Sequence, residues 1–193
     1  MTHKPIHFTK MHGLGNDFVI IHDNQSLFDI KQLPIKQLAD RHIGIGFDQL
    51  LVLKSGQEDT DYYCKIINAD GSEAEQCGNG LRCVARYLHE NGLLKNTSFA
   101  IVTKAGKFPI TIQDYDHISV ILAAPAIQQQ LINVTIDNKT IPISVLSTGN
   151  PHAITKVTSI DAITPAELAP KIAAQSYFPN GAMLSTASFA LSI

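Results

Sequence analysis

Asn68-Ala69-Asp70-Gly71-Ser72-Glu73-Ala74-Glu75-Gln76-Cys77-Gly78-Asn79-Gly80 separates two segments of different periodicity. Before it, residues 62–67 form a short β-branched and aromatic run that reads as a strand. After it, Leu81, Val84, Ala85 and Leu88 recur at i, i+3, i+4 and i+7, and Asn91-Gly92 closes the helix they predict. The stretch itself is turn-like, so a strand passes through a glycine-bearing loop into a helix. Cys77 then precedes a helix start, where free N–H groups and partial positive charge favour a thiolate and lower the thiol pKa. Gly78 and Gly80 allow a ligand to approach the backbone closely, and the same N–H groups can hold a carboxylate. The alternative for Cys77 is a small buried residue, the usual fate of a free cysteine. Cys64, in a strand, and Cys83, inside the helix, read as structural.

Working outward, residues 18–22, 49–53, 99–103, 108–112 and 118–122 are further short runs bounded by Gly, Asp or Pro and predict strands. Residues 134–136 and 141–145 flank Asp137-Asn138-Lys139, a hairpin turn, and 154–157 continues that sheet. Two more helices are expected. Pro34 opens one in its first turn, with Ile35, Leu38, Ala39 and His42 on one face until Gly44. Thr164 caps the other, over 165–174, with Glu167 completing a capping box. Many strands and three helices without a βαβ rhythm predict an α+β fold. Gly15-Asn16 and Gly149-Asn150 each precede a strand, an echo that suits matching loops of a duplicated domain.

The 193 residues allow one large domain or two small ones. Hydrophobic residues make up 45% and charged residues 17%, below the usual charged share of about 25%, which argues against disorder and coiled coil. A net charge of -2 and a pI near 6.4 leave no basic stripe for nucleic acid. Of the 32 charges, 22 lie in residues 1–96, and none follows Lys171. No run approaches the roughly 20 apolar residues of a membrane span, and the N-terminus lacks a signal-peptide core, so a cytoplasmic location is expected. Three cysteines at these spacings match neither a zinc site nor a disulfide framework, and the eight histidines form no metal-ligand pair. His12-Gly13-Leu14-Gly15-Asn16-Asp17-Phe18 departs from G-x-G-x-x-G at its last position and lacks a Lys-Ser/Thr pair; it reads equally as a tight turn before a strand. A Cys77–His152 hydrolase pair has no oxyanion hole or acyl site to support it.

Met11-His12-Gly13-Leu14-Gly15-Asn16-Asp17-Phe18, Phe47-Asp48-Gln49, Asn68-Ala69-Asp70-Gly71-Ser72, Cys77-Gly78-Asn79-Gly80-Leu81-Arg82-Cys83 and Gly149-Asn150-Pro151-His152, in this order, closely resemble diaminopimelate epimerase. That resemblance implies two pseudo-symmetric domains, each wrapping strands around a central helix, here 1–121 and 122–193, the second incomplete. It implies a cofactor-independent, metal-free isomerase that interconverts LL- and meso-2,6-diaminopimelate on the route to lysine and peptidoglycan precursors. In it, two cysteines work on opposite faces of the substrate α-carbon. Carried over residue by residue, Cys77 is one acid/base; Asn16, Gln49, Asn68, Gly78, Asn79 and Asn150 contact substrate; and His152 tunes the thiols. The family also implies a homodimer, with no nucleic acid or membrane partner.

The resemblance then breaks. The family carries its second cysteine in a Cys-Gly-Thr/Ser-Gly motif preceded by a Glu-Arg pair, but residues 153–193 hold neither cysteine nor arginine. Met183 stands near the place of a substrate-binding asparagine, and the tail from Met183 matches no part of the family. The expectation is therefore a C-terminally truncated epimerase followed by foreign sequence. Such a chain would be impaired in turnover, or would be a non-catalytic substrate-binding or assembly fragment of the same fold.

Overall fold

The computed structural model describes residues 5–24, 26, 28–56, 62–147, 151–157, 159, 164–178 and 183–187. Contacts between Cα atoms divide the chain into two compact units, Met1–Leu122 and Ala123–Ile193.

In the first unit the order is β1 (Thr9–Gly13), β2 (Asn16–His22), a 3-10 turn (Ile30–Gln32), α1 (Ile35–Ala39), β3 (Gln49–Ser55), β4 (Tyr62–Asn68), β5 (Glu73–Ala74), α2 (Gly78–Glu90), β6 (Ser98–Thr103), β7 (Gly106–Ile112) and β8 (Ile118–Val120). Among the described residues these strands form one sheet, ordered β1-β2-β3-β4-β6-β7-β8, with β5 on β4. The β2–β3 and β4–β6 pairs are parallel. Alternation along the strands sends Phe18, Ile20, Leu51, Leu53 and Ile66 to one face, where Leu81, Val84, Ala85 and Leu88 of α2 are buried against them. Val19, Ile21, Leu50 and Val52 go to the other face, under Ile35, Ala39 and Phe47. With both faces covered, β2 and β3 need continuous apolar runs rather than an alternating pattern.

Several expectations are corrected in this unit. The first helix ends at Ala39, and Asp40 is extended, its carboxylate accepting the N–H groups of His42 and Ile43 at 2.7 and 3.0 Å. That local turn competes with helix continuation, as Asp side chains do. Gly44 then packs back on the end of α1; a Cβ there would lie 2.5 Å from the Leu38 carbonyl oxygen. The strand expected over 118–122 stops at Val120. β1 was not foreseen, because an edge strand with mostly exposed side chains has no apolar alternation to reveal it. It pairs with β2 through a two-residue turn in which both Leu14 (φ 55°) and Gly15 (φ 85°) are left-handed. Gly80 also serves differently than expected. A Cβ there would meet Leu51 Cδ1 at 3.3 Å and Phe18 Cε1 at 3.4 Å, so its bareness seats α2 on the sheet rather than admitting a ligand.

The second unit contains β9 (Ala126–Ile136), β10 (Lys139–Ser147), β11 (Pro151–Lys156), α3 (Pro165–Ala173) and β12 (Met183–Ala187), with the sheet ordered β12-β11-β10-β9. The β9–β10 turn is Asp137-Asn138, both left-handed at φ 50° and 61°, and Lys139 already belongs to the strand. Ile132, Val134, Ile136, Ile143, Val145, Ala153, Ile172 and Phe178 form its core. Thr164 caps α3 without a side-chain bond; the Glu167 N–H instead donates to the Thr164 carbonyl at 3.0 Å, so the expected capping box is absent. The uncharged stretch after Lys171 is accounted for in part by its burial of Ile172 and Phe178. Met183–Ala187 pairs in parallel with β11.

Candidate active site

Register brings the sequence-predicted residues of the first unit together. Gln49 is the first residue of β3 and stands opposite Phe18 on β2 and Asn68 on β4. Asn16 opens β2, and Asn68 closes the antiparallel β4. The first residues of β2 and β3 and the last of β4 thus gather at one end of the sheet. Gln49 Nε2 donates to Asn68 Oδ1 at 2.8 Å, and Asn68 Nδ2 donates to Ser72 Oγ at 3.0 Å. Ser72 in turn donates through its hydroxyl and its N–H to Asp70, which holds that carboxyl below the usual carboxylate range. Gly71 (φ 89°) supplies the left-handed residue of this turn. The Gln49 Oε1 atom is buried and has no hydrogen-bond partner among the described residues.

Cys77 arrives from the helix side. It is the N-cap of α2, with extended backbone (φ -151°, ψ 105°). Its Sγ accepts the Gly80 N–H at 3.4 Å and faces Asn16 Oδ1 at 3.7 Å. The helix therefore begins at Gly78, three residues earlier than apolar spacing alone indicates, because polar and glycine residues fill its first turn. Burial pushes the Cys77 thiol up; the N–H groups of Gly80 and Asn79 and the charge of Arg82 oppose this, while Asp48 adds to it. The sequence expectation of a lowered thiol is thus reversed, since desolvation outweighs the helix terminus. Burial likewise pushes Cys83 up to about 11 and Cys64 far above the ordinary thiol range.

Gly78 is half-buried beside Leu122, and the Asn79 carboxamide oxygen accepts a hydrogen bond from Arg82. His152 lies half-buried in β11 of the second unit, opposite Leu146 and Met183. Asn150 lies outside the described residues. Among the described residues no group of three or more His, Cys, Asp and Glu side chains is arranged to hold a metal ion. A cavity of about 700 Å³ opens between β1, the flank of α2 and the 114–118 turn; it is lined by His12, Arg82, Cys83 and Arg86 among others, and not by Cys77.

Sequence reasoning missed a charged cluster behind Asn16. Arg41 grips Asp17 through two bonds of 2.8 and 2.9 Å and reaches Asp48 Oδ1 at 2.9 Å. Lys10 pairs with Asp17 at 2.9 Å, and Asp48 Oδ2 accepts from Asn16 Nδ2 at 2.9 Å and from the Asp17 N–H at 3.0 Å. The Arg41 guanidinium holds the Asp17 carboxyl well below the usual range. The available signal was that Asp17 and Asp48 each adjoin a candidate contact residue.

Iodoacetamide is expected to label Cys77 first, because Cys64 and Cys83 are only 1% and 5% exposed. Its rate should rise with pH to above the ordinary thiol range, as only the thiolate reacts. Timed labelling with peptide mapping measures this, and equal labelling of all three cysteines contradicts it.

A sequence profile of the diaminopimelate epimerase family matches residues 8–127. A diaminopimelate epimerase of Nitrosomonas eutropha is 41% identical over 189 aligned residues, which cover 91% of this chain and 68% of that one. One of Pseudomonas fluorescens is 38% identical, covering 90% and 67%. Among solved structures, a probable proline racemase from Agrobacterium radiobacter K84 superposes with a TM-score of 0.65 at 15% identity, covering 88% of this chain and 57% of that one. A hydroxyproline epimerase from Agrobacterium vitis gives 0.64 at 15% identity, covering 86% and 59%. The chain thus spans about two thirds of the sequence relatives and less of these structural ones, which bear on the fold alone.

Proposed function

Since this chain belongs to the diaminopimelate epimerase family, we propose that its first unit carries the Cys77 half of a cofactor-independent site for interconverting LL- and meso-2,6-diaminopimelate. The family is one of α+β isomerases, and the placing of a thiol at a helix N-terminus beside a carboxamide is the observation that carries the reading. An amino-acid α-proton is a very weak acid. Charge developing on the α-carbon and its carboxylate must be stabilised by donors already in place, and the first N–H groups of α2 are such donors. Cys77, as thiolate, takes the α-proton; as thiol, it returns one to the same face. Asn16, Gln49 and Asn68 suit the rest of a zwitterion, since carboxamides both donate and accept. The buried, unpaired Gln49 Oε1 supports an acceptor role toward a donor such as an ammonium group. In this reading Gly78 and Asn79 hold the carboxylate beside the thiol.

Residues 84–193 contain no cysteine, so a two-cysteine proton transfer has one partner in this 193-residue chain. Inversion is impaired, whereas exchange on the Cys77 face survives. Three free thiols support a reducing, cytoplasmic setting for this role. Exposed Ile127 and Leu131 on β9, at the edge of its sheet, support a homodimer.

The test is incubation of the 193-residue chain with each diaminopimelate isomer in D2O, read by mass spectrometry and chiral chromatography. Deuterium should enter the isomer whose α-hydrogen faces Cys77, with configuration retained. Full conversion between isomers contradicts the impairment. Binding without exchange instead supports the second reading, a substrate-binding fragment, which the upward push of burial on the Cys77 thiol favours.

A further inference from the structure

We propose that Asp48 is a positioning residue for Cys77: by accepting the Asn16 Nδ2–H, it locks the Asn16 carboxamide with its oxygen toward Cys77 Sγ and so holds that side chain as a hydrogen-bond-donating thiol. The inference rests on the reading of Cys77 as an acid/base group, and it names what sets the resting protonation state of that group.

The argument follows donors and acceptors. A carboxylate only accepts, so the Asn16 atom at 2.9 Å from Asp48 Oδ2 is the amide nitrogen. The planar carboxamide then has no choice about its other end, and Asn16 Oδ1 faces Cys77 Sγ at 3.7 Å. A neutral thiol donates to that oxygen, whereas a thiolate meets its lone pairs and loses the contact. Asp48 is itself prevented from turning away. Its Oδ2 also receives the Asp17 N–H at 3.0 Å, its Oδ1 receives Arg41 Nη2 at 2.9 Å, and its own N–H donates to Asp17 Oδ1 at 3.0 Å. The backbone reinforces this, because Asp48 N–H also reaches the Asp17 carbonyl at 3.0 Å and its own carbonyl takes the Ala69 N–H at 3.0 Å. The relay therefore runs from Asp48 through Asn16 to the thiol, and Arg41 is one of several groups that anchor Asp48, the backbone bonds among them.

Other groups act on the same sulfur. From α2, the N–H groups of Gly80 and Asn79 and the charge of Arg82 favour the thiolate. From the segment before β3, Asp48 disfavours it directly, and Cys64 of β4 and Cys83 of α2 are within electrostatic reach of Cys77. The carboxamide is the one element in this set that can reverse its sign by turning over. When Asp48 is removed, Asn16 is free to present Nδ2–H to sulfur, and the helix terminus is opposed by burial without the added push of Asp48.

The test is the pH profile of Cys77 alkylation by iodoacetamide in the full chain and in Asp48→Ala, Asn16→Ala and the double variant. Asp48→Ala should move the alkylation midpoint down by about one pH unit, roughly a tenfold faster reaction on the acidic limb. In the Asn16→Ala background, the same change should move it by much less, since the lock has nothing to hold. An equal shift in both backgrounds shows direct charge repulsion and overturns the proposal, as does no shift in either. Should Asp48→Ala fail to fold, D48N is read in its place: its amide can donate to Asn16 Oδ1, turn the carboxamide over and move the midpoint the same way. D48N with an unchanged midpoint also overturns it. Arg41→Gln is the structural control; it loosens the ion cluster but leaves the Asp48–Asn16 bond, and the midpoint should stay in place. Deuterium exchange by Cys77→Ser separates the two ideas. If that variant exchanges as fast as the parent, the acid/base reading fails, whatever the alkylation profiles show about the lock.

Discussion

Cys77→Ser is expected to lower deuterium incorporation into diaminopimelate by about 10²–10⁴-fold, the range that a positioned general base contributes. A serine hydroxyl is far too weak an acid to supply an alkoxide near neutral pH, so the base is lost while the shape is nearly kept. The substitution is informative because serine is a strong N-cap. A hydroxyl at this position can still accept the Gly80 N–H that Sγ now accepts at 3.4 Å, so α2 should start where it does in the parent. Far-UV circular dichroism and the denaturation midpoint should be unchanged within a few tenths of a kcal/mol. Exchange that persists at the parent rate would remove Cys77 from the chemistry. A loss accompanied by unfolding would point to capping alone.

Leu51→Ala is expected to destabilise the first unit by about 2–5 kcal/mol, the range for deleting a buried leucine side chain. Leu51 is fully buried, belongs to β3 and touches the place where Gly80 lacks a Cβ. Its methyl groups thus support the first turn of α2, the turn that begins at the Cys77 cap. Removal leaves a cavity between sheet and helix that neither element can close without moving. Urea denaturation measures the stability, and iodoacetamide mapping reads the site. The variant should label Cys64 in native buffer and Cys83 faster than the parent does, where the parent labels Cys77 first. A loss below about 1 kcal/mol with unchanged labelling would show that α2 does not depend on this contact.

The two expectations concern one place, where the central helix of the first unit meets the sheet. Most of that place was legible beforehand. The strand over 62–67, the loop and the helix with Leu81, Val84, Ala85 and Leu88 could be read because a helix buried on one side must repeat its apolar residues every three or four positions. Phe18 to His22 and the run from Gln49 were legible because a strand covered on both faces is apolar without interruption. Asn16, Gln49, Asn68 and Cys77 were named from motifs; strand register brings the first three to one end of the sheet, and Cys77 faces Asn16 there from the N-cap of α2. β1 and β5 were invisible, since an edge strand and a two-residue strand bury too little to leave a pattern. The end of α1 at Ala39 was misread because the Asp40 side chain offers a local turn that periodicity does not register.

What the sequence by itself determined is the class of fold, the family and the identity of the residues around the thiol. These follow from short-range information: periodicity, turn chemistry and motifs. What only the tertiary structure decided is the state of that thiol. A helix N-terminus alone lowers a cysteine pKa, and burial alone raises it; which prevails depends on how deeply Cys77 sits, and here burial is the larger influence. Residues remote in sequence act there too: Asp48 adds to the upward push, and Leu51 supports the first turn of α2 at Gly80. Desolvation and hydrogen-bond direction are properties of packed neighbours, so no local pattern around Cys77 could have contained them.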